Sequence, residues 1–120
     1  MINAQSPQRG EIWRVSLDPT RGEEMQKTRP AVVLSAPAFG RANLRLIVPI
    51  IGWQGHFAAW LWMIELAPDA GNGLSKMSAA DASQIRAVDA LRFGSRVGTL
   101  APDDVESIAA AVALCIGYAP

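Results

Sequence analysis

Glu24 and Arg29 are the two side chains whose types and spacing could do chemistry here. They lie five positions apart in the polar segment Leu17-Asp18-Pro19-Thr20-Arg21-Gly22-Glu23-Glu24-Met25-Gln26-Lys27-Thr28-Arg29-Pro30. Cleaving a phosphodiester without a metal needs a base for the attacking hydroxyl. It also needs a cation for the charge that builds on the phosphoryl oxygens, and an acid for the leaving oxygen. Arginine suits the second task because its planar fork meets two phosphate oxygens at once. Arg29 precedes Pro30, which restricts its backbone to extended conformations at the mouth of a strand. Glu24 could reach back as the base. Spacing alone favours a plainer reading, a surface Arg–Glu ion pair that pins the loop.

Other polar residues could complete a binding surface. Arg21, Lys27 and Thr28 share the loop, and Ser35 ends the strand that follows it. A second candidate loop reads Gly52-Trp53-Gln54-Gly55-His56-Phe57. Trp53 could stack on an unpaired base, a contact worth about 1–3 kcal/mol, or pack against a neighbouring strand. Gln54 could donate a hydrogen bond. His56 is the chain's one histidine; its ordinary titration range suits proton transfer, although a lone histidine is more often incidental. One histidine and one cysteine cannot make a metal site, so neither a metal nor another cofactor is expected. Cys115 falls on an apolar helical segment and reads as a buried, inert thiol.

These residues need a scaffold. Ile12 to Leu17 alternates with period two, Trp13, Val15 and Leu17 on one face, and predicts a half-buried strand. Ala31–Ser35 is a second strand. Leu44–Ile51 is a third, apolar enough to be buried on both faces, provided that Pro49 sits where the ladder needs no donor. Ala59–Leu66 is a fourth, with Trp60, Trp62 and Ile64 on one face, the two tryptophans read as core or interface. Residues 74–78 and 83–88 read as short strands, Asp89–Ser95 as a helical turn, and Val97–Leu100 as a last strand. Pro102 at the first helical position, with Asp103, Asp104 and Glu106 in the first turn, opens a helix. Val105, Ile108, Val112 and Ile116 form its apolar stripe, and Gly117 ends it. The fold class is therefore mainly β (α+β): a small, curved barrel of five to seven strands covered by a C-terminal helix.

Half of the 120 residues are hydrophobic and the net charge is zero. The charges are unevenly placed, however. Residues 1–50 hold Arg9, Arg14, Arg21, Lys27, Arg29, Arg41 and Arg45 against Glu11, Asp18, Glu23 and Glu24. A polyanion could dock there despite overall neutrality, although ordinary solvated charges would look the same. No run approaches the ~20 apolar residues of a membrane span, and the polar N-terminus has no signal-peptide core. With a single cysteine and hence no internal disulfide, a cytoplasmic protein is expected. Residues 1–120 read as one domain, with 1–8 flexible.

The order of these residues resembles the MazF/PemK family of toxins. The family loop ends in Arg-Pro and a small apolar strand closing on Ser, here Arg29-Pro30-Ala31-Val32-Val33-Leu34-Ser35. Asp18-Pro19, Gly22 and Thr28 fit the same pattern. Gly73-Leu74-Ser75-Lys76 with Gln84-Ile85-Arg86-Ala87-Val88-Asp89 resembles the second family block, and Val97-Gly98-Thr99-Leu100 with the helix resembles the third. The resemblance implies an SH3-like barrel with Arg29 and Glu24 catalytic. It implies the toxin of a toxin–antitoxin pair, a homodimer in which an acidic, MazE-like cognate antitoxin competes with RNA for the basic groove. With its antitoxin such a toxin also binds DNA. The implied activity is that of an mRNA interferase, an endoribonuclease cutting single-stranded RNA at a short sequence without metal. The 2′-hydroxyl attacks and a 2′,3′-cyclic phosphate is left.

One position departs from the pattern. The family's catalytic threonine follows a Val-Pro pair, and after Val48-Pro49 its place falls on Ile51, or on Gly52 if the alignment slips by one. Neither side chain has a hydroxyl, and losing one such donor costs ~10²–10³ in rate. Thr28, Ser35, Gln54 and His56 are the candidates to replace it. The alternatives are a catalytically weakened protein that binds RNA or antitoxin, and a barrel toxin acting on DNA gyrase, as a sibling family does. Arg29 argues against the latter, since a gyrase binder needs no arginine there.

Overall fold

The computed structural model of the protein describes residues 6–17, 28–37, 39 and 43–119. Its strands are β1 (Glu11–Ser16), β2 (Thr28–Val33), β3 (Leu44–Gly52), β4 (Met63–Leu66), β5 (Ser78–Asp81), β6 (Arg86–Asp89) and β7 (Phe93–Thr99), followed by helix α1 (Pro102–Cys115). Short 3-10 turns cover Gly55–Ala59, Ala82–Gln84 and Ala90–Arg92. The strands pair antiparallel in the order β4-β5-β3-β2-β1-β7, with β6 also on β3. This is the mainly β architecture with one C-terminal helix that the sequence predicts. The end strands β4 and β7 do not pair with each other among the described residues, so the barrel is open.

β2 and β3 are buried on both sides, as the apolar run Leu46–Ile51 requires. On one side Ile12, Val32, Val48 and Ile50 pack with Leu66, Leu100, Val105 and Ile108, so α1 seals this core. On the other, Trp13, Val15, Leu17, Ala31, Val33 and Ile47 pack with Val88. Fully burying such a side chain stabilises by about 1.5–3 kcal/mol, which explains why the central strands hold the register.

The two prolines of these strands shape the sheet. Leu34 N donates to Leu46 O at 2.8 Å. Since hydrogen-bonded pairs alternate along an antiparallel ladder, Ala31↔Pro49 is a non-bonded pair. The missing N–H of Pro49 then points away from β2. On that side β3 exchanges one neighbour for another, its pairing with β6 ending at Ile47 and that with β5 beginning at Ile50. Pro30 has the opposite effect. It falls where β2 should donate to β3 and cannot, and the β2–β3 register stops at Ala31 while β1–β2 continues to Thr28. The two strands part there, on either side of Arg29 and Ile51.

Several local expectations are corrected. The fourth strand begins at Met63, not Ala59: Ala59 closes a 3-10 turn and Trp60 O accepts from Met63 N at 3.1 Å. Trp60 and Trp62 therefore do not alternate on a strand; their rings stack at 5.5 Å and Trp60 is exposed. Residues 74–77 form loop, and β6 starts only at Arg86 because Ala82–Gln84 is a 3-10 turn. The helical turn expected over Asp89–Ser95 shrinks to Ala90–Arg92, capped by the Asp89 carboxylate on Leu91 N at 2.8 Å, and β7 takes Phe93 onward. The buried residues of α1 are Val105, Ile108 and Ala111, whereas Ile116 is 73% exposed. Cys115 is exposed as well, contrary to the buried thiol expected, because the last turn overhangs the core. Near the N-terminus, Pro7 is buried and its carbonyl accepts from Arg45 Nε at 3.0 Å.

Candidate active site

Where β2 and β3 part, an open groove of about 240 Å³ forms, lined by Leu17, Arg29, Pro49, Ile51, Asp81, Gln84 and Arg86. Register explains the grouping. Continuing the β2–β3 pairing two residues beyond Ala31↔Pro49 sets Arg29 opposite Ile51. Continuing the β3–β5 pairing beyond Ile50↔Ala80 sets Asp81 opposite Pro49. Directly opposed residues of an antiparallel pair project from the same face, so Arg29, Ile51, Pro49 and Asp81 share one. Arg86 arrives from β6, where it pairs with Ile47. Leu17, Pro49 and Ile51 supply an apolar floor, and two guanidinium groups, a carboxylate and an amide surround it.

The charged groups differ in their commitments. Arg29 is exposed and has no side-chain hydrogen bond to another described residue. Asp81 is half-buried and caps the 3-10 turn after it. Its Oδ1 accepts from Ser83 N at 3.1 Å and from Ser83 Oγ at 2.6 Å. Oδ2 has no partner among the described residues. α1 packs on this turn and on β4, and Ala82 N donates to Trp62 O at 2.9 Å, so Asp81 is held from two sides.

The expected site residues distribute unevenly. Arg29 lines the groove. Of the two places for the absent threonine, Ile51 stands beside Arg29, while a Cβ on Gly52 would meet Lys76 Nζ at 3.2 Å instead. Thr28 turns to the other face, where its hydroxyl accepts from Arg14 at 3.3 Å. Ser35 is buried at the opposite end of β2, its hydroxyl accepting from Leu46 N at 3.2 Å. It is thereby removed from the candidates for the missing donor. Trp53, Gln54 and His56 belong to a neighbouring aromatic cluster rather than to the groove lining. Trp53 meets Phe57 edge-on at 5.7 Å, His56 sits 4.8 Å from Phe57 and 5.0 Å from Trp60, and Gln54 is exposed at the start of their turn. Ile51 joins the two regions, packing also against Phe57, Met63 and Ala79 together with Trp53 and Trp62. Glu24, Arg21 and Lys27 lie outside the described residues.

Sequence reasoning passed over Asp81. Its setting, Ser-Ala-Ala-Asp-Ala-Ser, reads as a run of small residues, yet Asp followed two positions later by Ser is a turn-capping pattern. Gln84 and Arg86 belong to the second block noted above but carry no assigned role there. Among the described residues, no three His, Cys, Asp or Glu side chains gather where they could hold a metal ion.

Fold and groove together define a small open β-barrel with a cationic cleft at the splayed end of its central strands. Residues 8–116 match the PemK-like, MazF-like toxins of type II toxin–antitoxin systems, and the chain belongs to that family. Endoribonuclease MazF9 of Mycobacterium tuberculosis is 30% identical over 109 residues, spanning 88% of this chain and 92% of that protein. Endoribonuclease PemK of Escherichia coli is 50% identical over a shorter stretch of 52 residues, 42% of this chain and 38% of PemK. Among solved structures, MazE-MazF (Form-II) from Deinococcus radiodurans superposes with a TM-score of 0.75 at 21% identity, over 95% of this chain and 98% of that one; that likeness is one of fold.

Proposed function

We propose that the chain is a sequence-specific endoribonuclease that cleaves single-stranded RNA by attack of the 2′-hydroxyl, without a metal ion. The observation that carries the reading is Arg29, uncommitted among the described residues and set with Arg86 on the rim of an apolar-floored groove. Two guanidinium groups can neutralise a phosphodiester and follow its charge as it grows in the transition state. The aromatic side chains beside Ile51 offer surfaces on which an unpaired base can stack. The names of the relatives support RNA as substrate.

Residues 1–120 then act as one toxin domain in the cytoplasm, as a homodimer whose groove a MazE-like antitoxin covers; the complex with the antitoxin binds DNA. Exposed Leu91, Leu114, Ile116 and Tyr118 supply apolar surface for such contacts. Ile51 supports a second reading, a weakened enzyme retained for binding RNA or antitoxin, because no hydroxyl stands where the family places one.

The test is cleavage of a long single-stranded RNA in EDTA, with cut sites mapped for the wild type and Arg29→Ala. Cuts at a short recurring motif that vanish in Arg29→Ala support the first reading. A folded wild type that binds the RNA but leaves it intact supports the second.

A further inference from the structure

We infer that Trp53 is a base platform beside the cut, and that it selects a purine without distinguishing adenine from guanine. The inference rests on the ribonuclease reading and adds the rule by which the groove chooses one base of its substrate. Side chains alternate along a strand, so Pro49, Ile51 and Trp53 fall on one face of β3, the face of the groove. The strand ends at Gly52, but its ladder runs one residue further: after Gly52↔Ser78, Trp53 N donates to Met77 O at 3.0 Å. Gln54 is still extended, with φ −131° and ψ 145°. Trp53 therefore continues the apolar floor about 6.6 Å beyond Ile51, within one nucleotide's reach of a phosphate held by Arg29. It is half-buried, so part of its ring faces solvent.

The surroundings of Trp53 decide how a base is read there. Phe57, Met63 and Ala79 are buried against Ile51 and Trp53, and Met77, opposite Trp53 across β3–β5, is exposed. The backbone N–H of Trp53 is already taken by Met77 O. Gln54 has no side-chain hydrogen bond to a described residue, so nothing fixes its amide. His56 lies ring against ring with Phe57 and Trp60. Reading a base edge needs donors and acceptors held in place. This wall presents aromatic and thioether surface instead, and stacking accepts every base because each has a π face. Area then separates the bases: a purine covers more of the platform than a pyrimidine does. Adenine and guanine present the same two fused rings, and their exocyclic groups meet no fixed partner on this wall.

The test is cleavage, at subsaturating protein, of RNAs that carry the mapped motif. Each base flanking the cut is replaced in turn by adenine, guanine, uracil, cytosine, unsubstituted purine or no base. At one flanking position, wild type should cut the adenine, guanine and unsubstituted-purine RNAs within about twofold of one another, the pyrimidine RNAs about fivefold more slowly and the abasic RNA slowest. Trp53→Ala should lower the rate on the purine RNAs by about 5–150-fold, the range that one stacked base supplies, and level the differences among bases. Trp53→Phe should keep a reduced purine preference. Thermal melting checks the fold of both variants, and the base series in wild type decides the matter even where Trp53→Ala does not fold. Adenine and guanine differing by about tenfold at both positions, or a loss of that size with the unsubstituted purine, overturns the inference, because base edges are then being read. Equal cutting of all four bases, or a purine preference that survives Trp53→Ala in full, overturns it too. Each of these outcomes leaves the ribonuclease reading standing, whereas a folded wild type that cuts none of the RNAs overturns both.

Discussion

The two ends of strand β2 each carry a pocket lined by two arginines, and Arg29 in one serves the opposite purpose to Arg9 and Arg45 in the other. At the Ser35 end, a pocket of about 150 Å³ is lined by Arg9 and Arg45 together with Ser6, Pro7 and Ser35. Arg9 donates to Leu34 O and, at 3.3 Å, to Glu106. Arg45 donates to Pro7 O at 3.0 Å, Leu44 O at 2.9 Å and Ser6 Oγ at 3.2 Å. These guanidinium groups satisfy carbonyls that the sheet leaves over where the chain enters and leaves β2, β3 and the N-terminal segment. At the Arg29 end, Pro30 withholds a ladder bond, the strands part, and Arg29 has no such duty. Residue type does not separate the two pockets; the destination of each donor does. An arginine whose donors are taken by backbone carbonyls acts on the fold, and one held over an open apolar floor is available to a ligand.

The largest effect that would sharpen this contrast is on activity. Arg29→Ala should reduce RNA cleavage by ~10²–10³, the cost of one transition-state donor, with the melting temperature unchanged. Arg45→Ala should do the reverse: cleavage at the wild-type rate once folded, but a loss of about 1–3 kcal/mol in urea unfolding, since bonds from a charged donor to carbonyls are removed. Matching losses of activity in both variants would break the distinction. Next in size, Ile51→Thr should raise the cleavage rate about tenfold, part of the 10²–10³ that one added donor can supply, at a cost of about 1–2 kcal/mol in stability from the lost apolar contact. An unchanged rate would mean that position 51 does not face the reacting phosphate.

The smallest effect lies away from both pockets, at Glu11. Burial pushes its carboxyl up, but hydrogen bonds from Gln8 N, Trp13 Nε1 and Arg96 outweigh that, so it sits below its ordinary 4.5. A depressed carboxyl stabilises the fold above its unfolded value and loses that contribution as pH falls through the folded one. Wild type should therefore lose stability below about pH 4.5, and Glu11→Gln, already weaker at neutral pH, should lose less over the same range; parallel pH–stability curves would refute the assignment.

Much of the scaffold was legible because its signals are local. The alternation of Trp13, Val15 and Leu17, the double-sided run Leu46–Ile51 and the Pro102 helix start each encode their own element. The 3-10 turns were less so. Trp60-Leu61-Trp62 has strand periodicity, but stacking of its rings and the turn at Gly55–Ala59 override the pattern. Arg29 was legible as a candidate through Arg-Pro, and the physical reason for that pair, the interrupted ladder to β3, appears only once the register is known. Strand length alone does not say which end of β2 faces the groove, so Ser35 reads as a candidate donor although it is buried at the far end. Asp81 was missed because it joins the groove through the pairing of β3 with β5, a contact between residues some thirty positions apart. Periodicity cannot show where a helix outruns its core, so it predicts a buried Cys115 where the structure exposes it.

The central claim, that this groove cleaves RNA through the RNA's own 2′-hydroxyl, is tested most directly by the ends of the fragments. Wild-type protein in EDTA should leave a 2′,3′-cyclic phosphate on the upstream fragment and a 5′-hydroxyl on the downstream one, and an RNA carrying a 2′-deoxy sugar at the cut should stay whole. Fragments bearing 5′-phosphates, or cleavage of the deoxy substrate at the same rate, would contradict it.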